Sequence, residues 1–303
     1  MTAVITGGTS FLGRALIGEL LDNGETCYAL VRPGSPNLSA LPTGDPRLKV
    51  IPCTLTEPAE WMRAVPGCDV FYHLAWGGAG AEGRADPLIQ RANVEMAVTC
   101  LRAAGEIGAK RFLFTGSQAE YGPSDDPLDE EHPCEPMNEY GRGKLAFLRR
   151  AREMCAGMDL EYVHMRIFSL YGPGDHPTTL VARCVETFLR DGHMPLSSCE
   201  QLWNFLHVED AARLIRLLAG ADLSGHQIFN VAGEDTRPLR EFVDAIWTLC
   251  GKRGSLGFGE YRNAFEKPYG INPVIGRIAT ATHWRQRIPF EQGIEDLIDR
   301  FKG

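Results

Sequence analysis

Thr6-Gly7-Gly8-Thr9-Ser10-Phe11-Leu12-Gly13 decides the fold, because this stretch joins an apolar strand, residues 2–6, to an amphipathic helix, residues 11–23. Glycine at position 7 permits a tight turn, and glycine at position 13 lets the helix pack closely on the strand. Amides at the start of the helix can then hold a pyrophosphate at the positive end of the helix dipole. The turn therefore predicts a dinucleotide site, although Ser10 stands where a glycine is expected and a purely structural turn is the alternative.

Short apolar strands alternate with helical segments along the rest of the first half of the chain. This alternation predicts a parallel, doubly wound sheet that is covered on both faces by helices. The strands are predicted at 26–31, 48–52, 69–74, 110–115 and 161–167, and the helices at 57–64, 87–107, 139–156 and 178–191.

The pattern becomes irregular after Gly172, and the chain is richer there in proline and glycine. A strand near 205–208, a helix at 209–219 and a strand at 227–231 are predicted to rejoin the sheet. We therefore expect an α/β, Rossmann-type fold with a smaller, partly interleaved C-terminal lobe. The predicted dinucleotide-binding domain is 1–169, rejoined by about 204–234, and the predicted substrate-binding lobe is 170–203 and 235–303.

Composition limits the partners that the protein can have. A net charge of -8 over 303 residues argues against nucleic acid or an anionic membrane as the main partner. The nine cysteines form no C-x-x-C and the eight histidines no cluster, so we expect neither disulfides nor a metal. Because residues 3–5 enter a strand at once and no apolar run is long enough to span a bilayer, we expect a cytoplasmic protein.

A tyrosine and a lysine four residues apart, Tyr140 and Lys144 in NEYGRGK, carry the candidate chemistry. On a helix this spacing places both side chains on one face, where the ammonium can lower the phenol pKa from its usual value of ~10. Such a phenol can give a proton to a carbonyl oxygen or take one from an alcohol. The alternative is an exposed tyrosine beside a solvated lysine, a pair that chance alone can supply.

The end of the second strand, Leu30-Val31-Arg32, indicates which dinucleotide is preferred. An acidic side chain there would accept hydrogen bonds from a ribose 2′-hydroxyl and select NAD. Arg32 can instead pair with a 2′-phosphate, so the sequence favours NADP over NAD. An arginine that is simply solvated at a strand exit is the alternative.

Several further motifs show a resemblance to the extended short-chain dehydrogenase/reductases, and in particular to their nucleotide-sugar epimerase/dehydratase branch. The resemblance covers nearly the whole chain. The segments that carry it are TGGTSFLG at 6–13, His73-Leu74-Ala75-Trp76, Asn93, Thr115-Gly116-Ser117-Gln118-Ala119-Glu120-Tyr121-Gly122, Arg166-Ile167-Phe168-Ser169-Leu170-Tyr171-Gly172-Pro173-Gly174, Phe205-Leu206-His207-Val208-Glu209-Asp210 and Phe229-Asn230-Val231.

The resemblance implies specific roles for individual residues. Tyr140 would be the proton donor or acceptor, Lys144 would lower its pKa and bind the nicotinamide ribose, and Ser117 would hydrogen-bond the reacting oxygen. The cofactor would be contacted by Gly7, Thr9, Ser10, Phe11, Leu12, Gly13, Arg32, Leu55, Leu74, Ala75, Trp76, Asn93, Tyr140, Lys144, Ile167 and Ser169. The substrate would be contacted by Ser117, Gln118, Tyr140, Ser169, Trp203 and Arg262.

Departures from the family pattern reduce the number of reactions that the protein is expected to catalyse. Gln118 and Ala119 follow Ser117 where dehydratases carry an acid pair, so elimination of water is disfavoured. Ala119 and Gly174 stand where ring-carbon epimerases such as the GDP-fucose synthases carry a cysteine and a histidine, and His176 is nearby but shifted. Reduction of a ketone, or oxidation and re-reduction at one carbon, needs only Ser117, Tyr140 and Lys144.

We therefore expect an NADP-preferring reductase of a keto sugar nucleotide, of the 4-keto-6-deoxyhexose type. A 4-epimerase that retains its NAD is the first alternative, and a non-catalytic dinucleotide sensor is the second. On the substrate side, Ser169 replaces the family's asparagine, and Trp203 either stacks on a ring of the substrate or packs in the core. The family habit of pairing two long helices, here 87–107 and 139–156, implies a homodimer.

Overall fold

A seven-stranded parallel sheet organises the protein, for which a computed structural model describes residues 1–261 and 270–302. Its strand order is β10-β6-β5-β4-β1-β2-β3. The strands are β1 (Thr2–Thr6), β2 (Thr26–Val31), β3 (Leu48–Pro52), β4 (Val70–His73), β5 (Arg111–Ser117), β6 (Glu161–Ile167) and β10 (His226–Val231). The register aligns Thr6 with His73 and Ser117 with Ile167, so the carboxyl ends of the central strands share one edge of the sheet.

Helices cover both faces of this sheet, because successive buried residues of each strand point to opposite sides. Ile5 belongs to the apolar cluster under α1, α7 and α9, whereas Val4 belongs to the cluster under α2, α4 and α5. The helices are α1 (Phe11–Asp22), α2 (Pro58–Met62), α3 (Ala81–Ala85), α4 (Pro87–Glu106), α5 (Glu139–Cys155), α6 (Leu180–Leu189), α7 (Val208–Gly220), α8 (Leu239–Leu249), α9 (Gly276–Thr282) and α10 (Phe290–Lys302). The predicted Rossmann-type fold is confirmed.

A third apolar cluster lies beyond this sheet and is built on aromatic side chains. The Phe290 ring packs against those of Tyr171, Phe205 and Phe242, with centroids 5.0, 5.4 and 4.7 Å away. Helices α6, α8 and α10 enclose this cluster together with short strands. These strands are β7 (Ser169–Tyr171), β8 (His193–Leu196), β9 (Leu202–His207), β11 (Thr236–Pro238) and β12 (Ser255–Phe258).

One predicted strand is placed differently. The strand expected near 205–208 is β9, and it does not rejoin the seven-stranded sheet but pairs with β7 and β11 in a three-stranded sheet. The reason is that β7 follows β6 after a single residue, Phe168, and aligns Ser169 with Phe205, while β10 occupies the place beside β6. The division of the chain into domains stays a prediction. Within the described residues, no helix is both long and apolar enough to cross a membrane.

Candidate active site

The glycine-rich turn brings β1, α1 and the end of β4 into close contact. Gly7 has a φ of +69°, and a Cβ added there would lie 2.8 Å from the amide nitrogen of Ala75. A Cβ on Gly13 would lie 2.2 Å from the carbonyl oxygen of Gly7. Both positions therefore require glycine, one for its positive φ and its contact with β4, the other for the approach of helix to strand.

Ser10 is the N-cap of α1, which explains how a serine fits where glycine was expected. The Gly13 amide donates to Ser10 Oγ at 3.1 Å, so the hydroxyl satisfies one of the amides that the first turn of a helix leaves without an intrahelical partner. The amides of Phe11 and Leu12 remain for a ligand, and the turn therefore fits a pyrophosphate at the positive end of α1. These residues would hold the dinucleotide predicted from the sequence.

The loop after β2 closes over the same turn. Ser35 Oγ donates to Thr9 Oγ1 at 2.9 Å, and Asn37 Nδ2 donates to the Thr9 carbonyl at 3.4 Å. The Arg32 side chain is exposed at the end of β2. The sequence analysis missed Ser35 and Asn37, and their only signal was their position in the polar segment just after Arg32.

Two polar side chains tie the end of β1 to the end of β4. Thr6 Oγ1 lies 2.9 Å from His73 Nδ1 and accepts a hydrogen bond from the Ala75 amide at 3.2 Å. His73 is fully buried, and this burial, helped by the charge of Lys144, lowers its pKa to about 3. The imidazole is therefore neutral at physiological pH, and it holds the segment Leu74-Ala75-Trp76 beside the glycine turn.

Ser117 and Tyr140 meet at the carboxyl end of β5. Asn138 caps α5 by accepting the Gly141 amide at 2.8 Å, which sets the start of the helix that carries Tyr140. The Ser117 side chain lies close enough to the Tyr140 hydroxyl to lower the pKa of the phenol, and Ser117 Oγ accepts the Ala119 amide at 3.2 Å. The structure therefore brings two of the three predicted catalytic residues close together.

The expected lowering of the Tyr140 pKa is not what the structure gives. Burial raises the pKa of Tyr140 above its usual value of 10, and the positive charge of Arg84 and the nearby Ser117 side chain only partly oppose this rise. The net pKa of the phenol is therefore raised where the sequence led us to expect a lowered value, and the groups that shift it most do not include Lys144. The spacing of Tyr140 and Lys144 predicted their shared face but not the burial of the phenol.

Lys144 is buried beside the nearby aromatic rings. Its Nζ donates to the Thr115 carbonyl at 2.6 Å and lies 4.0 Å from the centroid of the Trp76 ring and 5.5 Å from that of Tyr140. Burial lowers the pKa of Lys144 to about 7, against the attraction of Glu120. An ammonium in this position can switch its charge near neutral pH.

A buried carboxylate, Glu120, lies directly beneath Ser117 and was given no role in the sequence analysis. Glu120 Oε1 accepts the Ser117 amide at 2.7 Å, and the carboxylate also accepts from His164 at 2.9 Å and from Arg166 at 3.2 Å. Burial by itself raises the pKa of Glu120, but these donors outweigh it and hold the carboxyl below its usual pKa. An acidic residue three positions after the end of a buried strand was the signal that could have found it.

The loop after β4 is held by two buried amides of α4. Asn93 accepts the Gly77 amide at 2.9 Å and donates to the Gly77 carbonyl at 2.8 Å. Trp76 Nε1 donates to Gln90 Oε1 at 2.7 Å. Asn93 was predicted to contact the cofactor, and its hydrogen bonds here are with the Gly77 backbone and, at 3.4 Å, with Gln90 Oε1. Gln90 and the neighbouring Arg84 were missed, since neither belongs to a motif with a fixed spacing.

The remaining predicted residues are spread over a wider area. Leu55 and Ile167 are partly buried beside the apolar clusters of the sheet, and Gln118 begins the short helical turn after Ser117. The Trp203 ring lies 6.5 Å from that of Phe205 and packs on apolar side chains, as the packing alternative predicts. Arg262 lies outside the described residues. No group of three or more potential metal ligands is found in 1–261 and 270–302.

Taken together, the fold and this edge of the sheet define an enzyme of the extended short-chain dehydrogenase/reductase type. The sequence model described as "NAD dependent epimerase/dehydratase family" matches residues 3–232, and the chain belongs to that family. The family is described as NAD-dependent, and several of the relatives are named as enzymes of nucleotide sugars.

Individual relatives are distant but aligned over most of their length. A dTDP-6-deoxy-L-talose 4-dehydrogenase (NAD(+)) of Aggregatibacter actinomycetemcomitans is 28% identical over 248 residues, 80% of this chain and 88% of the relative. A dTDP-glucose 4,6-dehydratase of Streptomyces griseus is 27% identical over 288 residues, 89% of this chain and 85% of the relative. The structure of MoeE5 in complex with UDP-glucuronic acid and NAD superposes with a TM-score of 0.86 at 24% identity, covering 100% and 99% of the two chains.

Proposed function

We propose that the protein is an NAD(P)-dependent oxidoreductase that reduces the ketone of a nucleotide-linked keto sugar, of the 4-keto-6-deoxyhexose type. The observation that carries this proposal is the proximity of Tyr140, on α5, to Ser117 at the end of β5, with Lys144 one turn further along α5 and its Nζ 5.5 Å from the Tyr140 ring. A carbonyl oxygen bound beside both hydroxyls would be polarised by Ser117 and protonated by Tyr140.

In the proposed reaction the nicotinamide, when bound, supplies the hydride that adds to the carbonyl carbon. The C=O double bond becomes a C–O single bond, and Tyr140 gives its phenolic proton to the oxygen. Ser117 holds that oxygen while negative charge develops on it. Lys144, whose pKa near 7 lets it carry a proton, lies 5.5 Å from the ring of Tyr140 and stabilises the resulting tyrosinate.

Two observations favour reduction over elimination. Gln118 and Ala119, which follow Ser117, offer no acid or base, and Glu120 is occupied by Ser117, His164 and Arg166. Among the relatives, the talose enzyme is named as a 4-dehydrogenase. The substrate class, a nucleotide sugar, follows from the family.

We infer a preference for NADP from Arg32, exposed at the end of β2, where no acidic side chain competes for the ribose. The change Arg32→Glu is expected to raise KM for NADPH and lower it for NADH. Kinetics with both cofactors on wild type and variant test this preference. Equal use of NADPH and NADH by the wild type would contradict it.

A screen of sugar nucleotides with NADPH and NADH, following absorbance and product, tests the reaction. A reductase consumes NADPH with a keto sugar and is purified largely free of cofactor. A stoichiometric hydride transfer to a 4-keto sugar is the expected result, and its absence from every keto sugar offered contradicts the proposal.

The second candidate is a nucleotide-sugar 4-epimerase that retains and recycles NAD. The family description and the NAD held by MoeE5, which is similar to this chain in fold, favour it. An epimerase would be purified with tightly held NAD and would interconvert two sugars with no net NADPH consumption. A non-catalytic dinucleotide sensor is the third candidate. If Tyr140→Phe left every sugar-nucleotide conversion unchanged, the catalytic role of Tyr140 would be wrong and the sensor would be favoured.

We also propose that two copies pair through α4 and α5, which lie side by side. Leu88 near the start of α4 is 73% exposed, and Met137 just before α5 is 54% exposed. Burial of such residues between two copies would stabilise the pair. Sedimentation of the wild type and of Leu88→Glu is the test, and a monomeric wild type would contradict the proposal.

A further inference from the structure

A guanidinium lies against the face of the phenol that we propose as the proton donor. Arg84, on α3 in the loop after β4, places its Cζ 4.3 Å from the centroid of the Tyr140 ring. The Arg84 side chain is partly buried. A guanidinium stays protonated throughout the pH range of a protein, and one on an aromatic face is attracted by the ring and by a negative charge that develops on it.

Lys144, the cation expected to act on Tyr140, is directed mainly to other groups. Its Nζ donates to the Thr115 carbonyl and lies closer to the rings of Trp76 and Phe114, at 4.0 and 4.7 Å, than to the ring of Tyr140, at 5.5 Å. With a pKa of about 7 it is also partly neutral at physiological pH. Arg84 is therefore both the nearer and the more constant positive charge at the Tyr140 ring.

The loop that carries Arg84 is fixed from α4. Gln90 is 2% exposed; its Oε1 accepts the Trp76 indole, and its Nε2 donates to the Gly83 carbonyl at 2.7 Å, next to Arg84. A Cβ on Gly83 would lie 2.3 Å from the Cα of Gly78, so the loop also packs closely on itself. Arg84 is thus held in place before a substrate arrives, which is the arrangement that electrostatic stabilisation requires.

We propose that Arg84 is a positioning residue of the acid–base centre, whose guanidinium on the ring face of Tyr140 stabilises the tyrosinate and fixes the orientation of the phenol. This role rests on the proposed function of Tyr140. Three other groups lie near Tyr140: Ser117 favours its ionisation, Glu120 opposes it, and Lys144 lies one turn along the same helix. Arg84 is also the first of the influences that lower the pKa of Tyr140 against its burial.

A titration of the phenol itself tests the proposal without relying on turnover. The change Arg84→Met removes the charge and keeps much of the side chain, and Arg84→Lys keeps the charge. Absorbance of tyrosinate is measured against pH, and the same protein carrying Tyr140→Phe is subtracted to isolate this one tyrosine. We expect Arg84→Met to raise the pKa of Tyr140 by about one unit and Arg84→Lys to raise it by less than half as much.

Arg142→Met is the matched control. Arg142 lies on the same helix, is exposed and pairs with Glu139, so the same loss of charge there should leave the Tyr140 titration unchanged. Thermal melting of each variant checks that it is folded. A Tyr140 titration that Arg84→Met leaves in place would overturn the proposal.

The pH profile of activity gives an independent readout. Tyr140 must be protonated to reduce a ketone, so activity is lost as pH rises through its pKa, and Arg84→Met should move that basic limb to higher pH. If the sugar-nucleotide screen finds no activity, the proposed function fails, while the phenol titration still decides the contact between Arg84 and Tyr140. If activity is found and the basic limb does not move, the role of Arg84 fails alone.

Discussion

Two histidine–glutamate pairs in different regions of the molecule show how little a short distance says about an interaction. His164 and Glu120, beneath the strand ends of the main sheet, are 2.9 Å apart, and both side chains are fully buried. His193 and Glu260, on the edge formed by β8 and β12, are 2.5 Å apart, and their side chains are 49% and 53% exposed. Solvent screens the shorter pair, whereas removing Glu120 from the longer pair leaves the buried Arg166 without its carboxylate.

The surroundings of the two pairs differ as much as their burial. Glu120 also accepts from Arg166 and from the backbone amide of Ser117, so it fixes a residue of the candidate active site. The exposed pair is extended only by a contact of His193 with Ser255 among the described residues. In the buried region, the residues that stabilise the fold therefore lie next to the residues proposed for catalysis. Substitutions can distinguish an effect on stability from an effect on activity.

The largest expected effect separates chemistry from stability. Tyr140→Phe removes the proton donor and is expected to lower kcat by about 10²–10⁴-fold, because that is what a positioned acid contributes. The free energy of unfolding should change by no more than about 1.5 kcal/mol, the net worth of one hydrogen bond. Kinetics on the substrate found in the screen and urea unfolding measure the two quantities. Tyr28→Phe, in β2, is the control and should change neither.

The next effect compares the two pairs directly with one substitution. Glu120→Gln leaves Arg166 buried without its carboxylate and is expected to lower the free energy of unfolding by about 3–5 kcal/mol. Glu260→Gln breaks a pair that is about half exposed and should cost less than about 1 kcal/mol. Urea unfolding of both variants at neutral pH measures the difference. Equal losses would mean that burial does not set the value of these pairs.

The strand ends of the sheet could be predicted from the sequence because local patterns determine them. Within one turn, Gly7 is required by its positive φ and Gly13 by its contact with the Gly7 carbonyl. The alternation of strands and helices places Ser117 at the edge where Thr6 and His73 end. A motif with fixed spacing reflects such short-range geometry, and it can therefore be recognised in the sequence. The position of Tyr140 beside Ser117 followed from the same reasoning together with the family resemblance.

The features that could not be predicted from the sequence depend on contacts between distant parts of the chain. The partner of β9 is decided by the alignment of Ser169 with Phe205, which no periodicity encodes. The raised pKa of Tyr140 comes from burial, a property of the whole fold. Arg84 reaches Tyr140 because Gln90 binds the loop beside it, and a lone arginine in a glycine-rich loop carries no sequence signal.

A third histidine, His73, extends the comparison to a buried imidazole that has no carboxylate partner among the described residues. His73 contacts the Thr6 hydroxyl and has a pKa of about 3, against an ordinary value of 6.5. Between these values the unfolded chain binds a proton that the folded chain does not, so stability falls as pH drops through this window. At pH 5 the loss relative to pH 7 is expected to be about 2 kcal/mol.

The change His73→Asn should remove this part of the pH dependence, although it also weakens the contact with Thr6 and lowers stability at every pH. Urea unfolding at pH 7 and pH 5 measures the difference between the two conditions, which is the informative quantity. His283→Asn removes an exposed histidine and should leave that difference as it is in the wild type. A His73→Asn variant with an unchanged difference would show that His73 titrates normally in the folded protein.

The smallest expected effect concerns Ser10, whose exposed side chain still contributes to stability because its partner is a backbone amide with no other acceptor. Ser10→Ala removes the acceptor of the Gly13 amide and is expected to cost about 1 kcal/mol in the free energy of unfolding. Ser10→Gly, which restores the expected third glycine, should cost only a few tenths of a kcal/mol, because water reaches the amide more easily. Urea unfolding of both variants measures the order. If the alanine and glycine variants lost the same free energy of unfolding, the Ser10 hydroxyl would not stabilise the start of α1. The contribution of Ser10 to stability would then be as small as its exposure suggests, as we expect for Glu260.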